Sequence, residues 1–252
     1  RLAQHALCNI IAPIFDKTLL PYTFACRDGL GTHAGVKHIQ SLMRSNKYTH
    51  FIKTDFSKFF PSIDRAILHG MIRKKITCRK TYELLCKFIP QDGVGLPIGS
   101  LTSQVFANVY GGIIDRYVHF ELGYRHWARY MDDVIILDSD IERMRKDIDY
   151  IIKFSDEKMN MKLSKWQVSS ISRGVNFLGY RIWPHHKLIR KDSVQRAKKK
   201  IKSMRLRNDN EGLERFLAAW YGHASWADTK NLLNYLEKNH AIICNQHSRR
   251  FG

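Results

Sequence analysis

The sequence predicts an α+β fold with a helical C-terminal appendage. Three observations carry this: the strand composition of Phe51-Ile52-Lys53-Thr54-Asp55-Phe56, the apolar run Val134-Ile135-Ile136-Leu137 opposite a strand ending at Tyr130, and the helical, basic character of the chain after about residue 191. No internal repeat and no low-complexity linker interrupts it. From the N-terminus, residues 1–25 read as a helix with Leu2, Ala6, Ile10 and Ile14 on one stripe, then an irregular stretch with Pro13 and Pro21. Residues 26–33 form a Gly-punctuated basic loop, and a second helix covers 34–44. The strand at 51–56 runs into a turn holding Phe59, Phe60 and Pro61, and a helical segment fills 64–89. The loop 93–100 opens a long helix that Ser100 or Thr102 can cap and that Gly111-Gly112 weakens near its middle. A hairpin follows, with Asp132-Asp133 at or beside its reversal. A helix over 141–160 precedes short strands near 166–170 and 176–182.

A length of 252 residues suits one large domain or two small ones and excludes a small disulfide-stapled scaffold. Hydrophobic residues at 44% exclude a disordered tail. No stretch approaches the roughly 18 apolar residues of a spanning helix, and the N-terminus lacks the basic, apolar and small-residue regions of a signal peptide, so a cytoplasmic protein without membrane contact is expected. The start at Arg1, without a Met, reads as an incomplete N-terminus. The excess of 42 Lys+Arg over 23 Asp+Glu gives a formal charge of +19, which points to a polyanion and first of all to nucleic acid. The five cysteines, Cys8, Cys26, Cys78, Cys86 and Cys244, contain no C-x-x-C and read as reduced thiols. His240, Cys244 and His247 have metal-ligand chemistry but no second pair, and read as a structural tail.

Two adjacent aspartates in an apolar hairpin repel each other unless a cation neutralises them. Asp55, 77 residues before Asp132, closes another apolar strand. Bringing Asp55, Asp132 and Asp133 together would build an all-oxygen site suited to two Mg²⁺ ions, with nucleotidyl transfer as the chemistry. A solvated Asp-Asp turn is the competing reading of the dipeptide alone.

Sequence context adds a resemblance. Tyr130-Met131-Asp132-Asp133 resembles the Y-x-D-D box of reverse transcriptases, and Thr54-Asp55-Phe56-Ser57-Lys58-Phe59-Phe60 resembles their first acidic motif. Leu96-Pro97-Ile98-Gly99, Ser103-Gln104 and Ala107-Asn108-Val109-Tyr110 resemble the family's L-P-Q-G, S-P and A-N-x-Y elements, and Phe177-Leu178-Gly179-Tyr180 resembles its F-L-G-x primer grip. The resemblance implies a right-hand polymerase: fingers over 1–50, a palm with an antiparallel sheet over 51–185, and a helical thumb over 186–252. It implies RNA-directed DNA synthesis on two Mg²⁺ ions, for which Mn²⁺ can substitute, with Asp55, Asp132 and Asp133 as catalytic metal ligands. Arg27, Phe56, Phe60, Ile98, Gln104 and Lys165 become nucleotide-binding candidates. Phe60 is the aromatic that excludes a 2′-hydroxyl, Arg27 has a fork suited to phosphate oxygens, and Lys165 is a cation for the pyrophosphate.

Ile98 and Gln104 depart from the glutamine and proline of the family boxes and are similar to the version in diversity-generating retroelement enzymes, as are Gly222-His223-Ala224 and Ala227-Asp228-Thr229. An aliphatic residue offers no hydrogen bond at that checkpoint, and low fidelity opposite template adenine is the implied consequence. The same likeness implies a small basic multimeric accessory protein beside template RNA, DNA primer and dNTPs, in a bacterial or phage setting. A group II intron-like, retron or phage-defence enzyme is the alternative. Residues 190–207 hold nine basic residues against Asp192 alone. A stripe of Val194, Ala197, Ile201 and Met204 would bury one face and present Arg196, Lys198, Lys199 and Lys202 to a nucleic-acid backbone. Trp220, Tyr221 and Trp226 read as core of this appendage.

Overall fold

The computed structural model describes residues 2–240, with side chains through residue 236. Cys244 and His247, and with them the C-terminal histidine–cysteine group, lie outside the described residues. Contacts divide the chain into two compact units, Arg1–Leu178 and Gly179–Gly252.

The first unit is built on a four-stranded antiparallel sheet. In chain order its strands are β1 (His50–Phe56), β2 (Trp127–Tyr130), β3 (Asp133–Asp138) and β4 (Leu163–Ser170), and their order across the sheet is β2-β3-β1-β4. Strand alternation turns Ile52, Thr54 and Phe56 into the core and leaves Lys53 and Asp55 half-exposed on the opposite face. β3 is buried from Val134 to Leu137, as its continuous apolar run requires. A short β5 (Val175–Phe177) closes the unit.

Helices α1 (Leu2–Asp16), α2 (Thr32–Arg44), α3 (Phe59–Ser62), α4 (Arg65–Arg73), α5 (Arg79–Phe88), α6 (Leu101–Arg116) and α7 (Ile141–Met159) complete it. α6 is buried on nearly every side and packs against α1, where Phe15 and Phe106 meet edge-on at 5.3 Å. Asp64 and Asp140 cap α4 and α7 by accepting from the amides of Ile67 and Arg143. Ser100 stands at the N-cap of α6 without capping it through its side chain. The glycine pair inside α6 has a packing reason: a Cβ on Gly111 would sit 2.4 Å from Arg129 Nη1.

Two sequence expectations change. The stripe chosen for α1 is its outer face, with Leu2 87% and Ile10 67% exposed, while Leu7, Cys8, Ile11 and Phe15 are buried. The helix offers two apolar stripes, and packing on α6 selects the other. The helical segment 64–89 is two helices, broken at residues 74–78, where β-branched Ile76 and Thr77 and then Cys78 have lower helix propensity.

The second unit begins with a hairpin of β6 (Tyr180–Ile182), which lies within the strand expected at 176–182, and β7 (Lys187–Ile189), which the sequence reading lacks. Helices α8 (Lys191–Leu206), α9 (Asn210–Ala224) and α10 (Lys230–His240) follow. α8 buries Ala197 and Ile201, with Val194 and Met204 half-buried beside them, which is the predicted stripe. Trp220 is buried. The 222–229 motifs hold this unit together. The buried Tyr180 hydroxyl lies 2.9 Å from His223 Nδ1 and 3.0 Å from the His223 carbonyl; Asp228 accepts from the Lys187 amide at 2.8 Å, and Thr229 donates to the Ala224 carbonyl at 2.7 Å. Among the described residues no helix is long and apolar enough to cross a membrane.

Candidate active site

Strand register assembles the site. β1 and β3 set Asp55 directly opposite Asp133, and β1 and β4 set Lys165 opposite Asp55, so three strands bring these side chains into one row. Tyr130 pairs with Asp133, which makes Met131-Asp132 a two-residue hairpin turn. Met131 adopts φ +54°, a left-handed conformation that a bulky side chain rarely takes.

Asp132 and Asp133 resist ionisation. Burial pushes Asp133 up to about 6, and the negative charges of Asp132 and Asp55 add to the rise, while Lys53 opposes it. Asp132 is raised by burial and then by the neighbouring Asp55 carboxylate. Lys53 reaches from β1 to donate to Asp133 Oδ2 at 3.0 Å and to the Asn176 carbonyl at 2.7 Å. Ser164 donates to the Asp55 carbonyl at 3.0 Å and, more weakly, to its carboxylate at 3.3 Å.

This donor set fits a hard divalent cation. All three acidic ligands offer oxygen, and Asp133 Oδ1 is buried without a hydrogen-bond partner, with Lys53 Nζ at 3.0 Å as an ion pair. Among the described residues no group of three His, Cys, Asp or Glu side chains is arranged to hold a metal ion by itself. Mg²⁺ sites that act on phosphates need none, because substrate oxygens and water fill the coordination shell around one or two carboxylates. Asp55, Asp132 and Asp133 are the residues that would hold the ion.

The other candidates fall into three groups. Phe60 is half-exposed and stands edge-on to buried Phe59 at 5.9 Å. The loop before α6 is stapled beside it, with the Leu96 amide donating to the Phe60 carbonyl at 2.9 Å and the Gly95 amide to Ile63 at 2.8 Å. Gly95 takes φ +91° with its Cα against Pro61, so a Cβ there would meet the Pro61 carbonyl at 2.9 Å. Ile98 projects from this loop 81% exposed and packs on no core. Lys165 is exposed within the aspartate row.

Arg27 and Gln104 line a different cavity, about 720 Å³, together with Asp16, Cys26 and Asn108 and with none of the three aspartates. The Arg27 guanidinium is engaged within the fold: it pairs with Asp16 at 2.5 Å and donates to the carbonyls of Leu20 and Thr23. Gln104 accepts from the Cys26 thiol at 3.6 Å. Phe56 is corrected outright as a nucleotide contact of its side chain, because alternation along β1 buries it at 3% exposure against Phe59.

In Phe177-Leu178-Gly179-Tyr180 the two central residues take φ +52° and +89°, a tight reversal that buries Phe177 and Tyr180. The division between the two units falls within it. On α8, Lys199 and Lys202 are exposed, and Arg196 is exposed beside Asp192 at 3.5 Å. Lys198 turns back over the Tyr235 ring at 4.4 Å and is half-buried. Three residues of the site escaped the sequence reading: Lys53, Ser164 and the buried Arg129. Lys53 was findable, since a strand places residues two apart on one face.

A family model described as reverse transcriptase (RNA-dependent DNA polymerase) matches residues 1–182. The chain belongs to the reverse transcriptase family. Protein YkfC of Escherichia coli (strain K12) is 20% identical over 241 residues, covering 77% of this chain and 61% of that protein. The group II intron-encoded protein LtrA of Lactococcus lactis subsp. cremoris is 25% identical over 128 residues, covering 47% of this chain and 21% of LtrA. The chain thus spans less than two thirds of the length of either relative. Among solved structures, telomerase from Candida tropicalis in complex with a TWJ fragment of telomeric RNA matches with a TM-score of 0.58 at 12% identity, over 92% of this chain and 47% of that one. The apo telomerase from the same organism gives 0.57 at 12% identity, over 75% and 41%. These likenesses place this reverse transcriptase in the right-hand polymerase fold class.

Proposed function

We propose that this chain is an RNA-directed DNA polymerase that extends a primer on an RNA template with dNTPs by metal-assisted nucleotidyl transfer. The observation that carries the reading is the register that sets Asp55 opposite Asp133 with Asp132 in the adjoining turn. A divalent cation bound there supplies charge neutralisation for a phosphoryl centre. Asp55, Asp132 and Asp133 hold it, Lys165 stands in the same row to meet a leaving pyrophosphate, Phe60 is the accessible aromatic beneath the sugar, and α8 tracks the template–primer backbone. Primer extension on primed RNA with Mg²⁺ tests this. Wild type extends, and Asp132→Asn loses about 10²-fold or more with its fold intact, since an interaction worth a few kcal/mol in the transition state is removed. Full activity in that variant sinks the reading.

The finer assignment is to an error-prone enzyme of a diversity-generating retroelement, working with a small basic accessory protein. Its support is Ile98: 81% exposed beside Phe60's loop contact, it offers an apolar surface and no hydrogen bond where a polar checkpoint would stand. Ile98→Gln is expected to lower misincorporation opposite template adenine by about 10-fold, the scale of one polar contact. Sequenced cDNA with an unchanged error spectrum removes this assignment and favours the second reading, a group II intron-like enzyme, which the likeness to LtrA supports.

A further inference from the structure

The catalytic turn hangs on a buried strut. Arg129, the penultimate residue of β2, is 0% exposed, and its guanidinium bonds in three directions. Nε and Nη2 grip the Asp115 carboxylate of α6 at 2.7 and 2.8 Å; Nη2 also donates to the Asn108 carbonyl of α6 at 2.9 Å. Nη1 donates to the Met131 carbonyl at 3.0 Å. That last bond holds the residue in the left-handed conformation that immediately precedes Asp132.

Everything around the guanidinium fixes its aim. The Arg129 amide donates to the Tyr22 carbonyl and its carbonyl accepts from the Phe24 amide, both at 2.9 Å. Thr23 donates at 3.0 Å to Asp115 Oδ2, the oxygen that also accepts from Nη2. The plane lies so close to Gly111 that a Cβ there would stand 2.4 Å from Nη1 and 2.6 Å from Cζ. Lysine could neutralise Asp115 but could not span to α6 and the turn at once, because only the planar fork offers donors in several fixed directions.

We propose that Arg129 is a positioning residue for nucleotidyl transfer: it transmits the placement of α6, the helix that carries the loop of Ile98, to the Met131-Asp132 turn, and so holds the Asp132 carboxylate where a divalent cation is bound. A buried arginine with an aspartate partner could serve the core alone, in which case the bond to Met131 would be incidental. What argues otherwise is that the bond ends on the one residue of the turn whose backbone needs restraint. The proposal rests on the polymerase reading.

The test uses the whole chain with template–primer. Arg129→Lys and, independently, Gly111→Ala are compared with wild type for folding by circular dichroism at 10 °C, for template–primer affinity, for Mn²⁺ affinity by electron paramagnetic resonance of the free ion, and for kcat and dNTP KM. The expected result is folded protein in at least one variant with template–primer affinity and KM within about threefold, Mn²⁺ affinity weakened about tenfold, and kcat reduced about 10- to 100-fold. A folded variant that keeps Mn²⁺ affinity and kcat within twofold overturns the proposal. Loss of folding in both overturns it too, because Arg129 would then be serving the core. If wild type makes no cDNA, the polymerase reading fails, while the Mn²⁺ arm still decides whether Arg129 sets the carboxylate.

Discussion

At the end of the central sheet, Asp55, Asp132 and Asp133 are held half-buried by strand register and a restrained turn beside Lys53, and Asp132 and Asp133 resist ionisation. On α8, charge is handled in the opposite way: basic side chains are strung along an exposed helix, with Asp192 as its one acidic residue. The first arrangement concentrates repulsion where burial strengthens it and leaves an orphaned oxygen for a cation. The second keeps its charges in water, where they repel weakly and no single position is decisive. Chemistry on a phosphate needs the first kind of site, and tracking a polyanion needs only the second.

The sharpest way to break the comparison is to neutralise the helix. Replacing Arg196, Lys199 and Lys202 with glutamine should lower the slope of log affinity against log salt by about 2–3 if all three face phosphates, at about 0.7–0.9 each. Lys198→Gln, whose ammonium sits over Tyr235, should move that slope by less than about half a unit. An unchanged slope in the triple variant would place this face away from nucleic acid.

A smaller effect sharpens the other side. Asp133 has its folded pKa raised from 3.8 to about 6, so the stability it withholds when ionised is restored as pH falls from above 6 toward 4. His38 and His69, lowered by burial, act with the opposite sign in acid, so the reading is a difference. Without divalent ions, the Tm of wild type minus that of Asp133→Asn should rise by about 2–4 °C between pH 7.5 and 5.5, and Mg²⁺ at pH 7.5 should raise wild type alone. A flat difference would mean the carboxylate is not under strain.

The chemistry of the site was legible because it resides in residue types: adjacent aspartates in an apolar hairpin cannot be explained by packing. The sheet was legible for the same reason, since Val134–Leu137 and residues 51–56 carry strand composition. What escaped was geometry. α1 carries apolar residues on two stripes, and only its packing on α6 distinguishes Leu7 and Ile11 from Leu2 and Ile10. Arg27 has the chemistry of a phosphate ligand, yet Asp16 is eleven residues away in sequence and 2.5 Å away in space. Arg129 gave no signal, because a basic residue before an aromatic at a strand end is ordinary until the fold surrounds it. The β6–β7 hairpin is three residues a side and rests on Asp228, a contact 41 residues distant.

The two charge arrangements do separate jobs, and one paired measurement tests this: template–primer affinity and extension rate at saturating template–primer, in Asp55→Asn and in the Arg196/Lys199/Lys202 variant. Asp55→Asn is expected to bind template–primer within about twofold of wild type and to extend at least about 10²-fold more slowly, while the charge variant binds several-fold more weakly and extends at the wild-type rate once saturated. Asp55→Asn extending primers at the wild-type rate would contradict it.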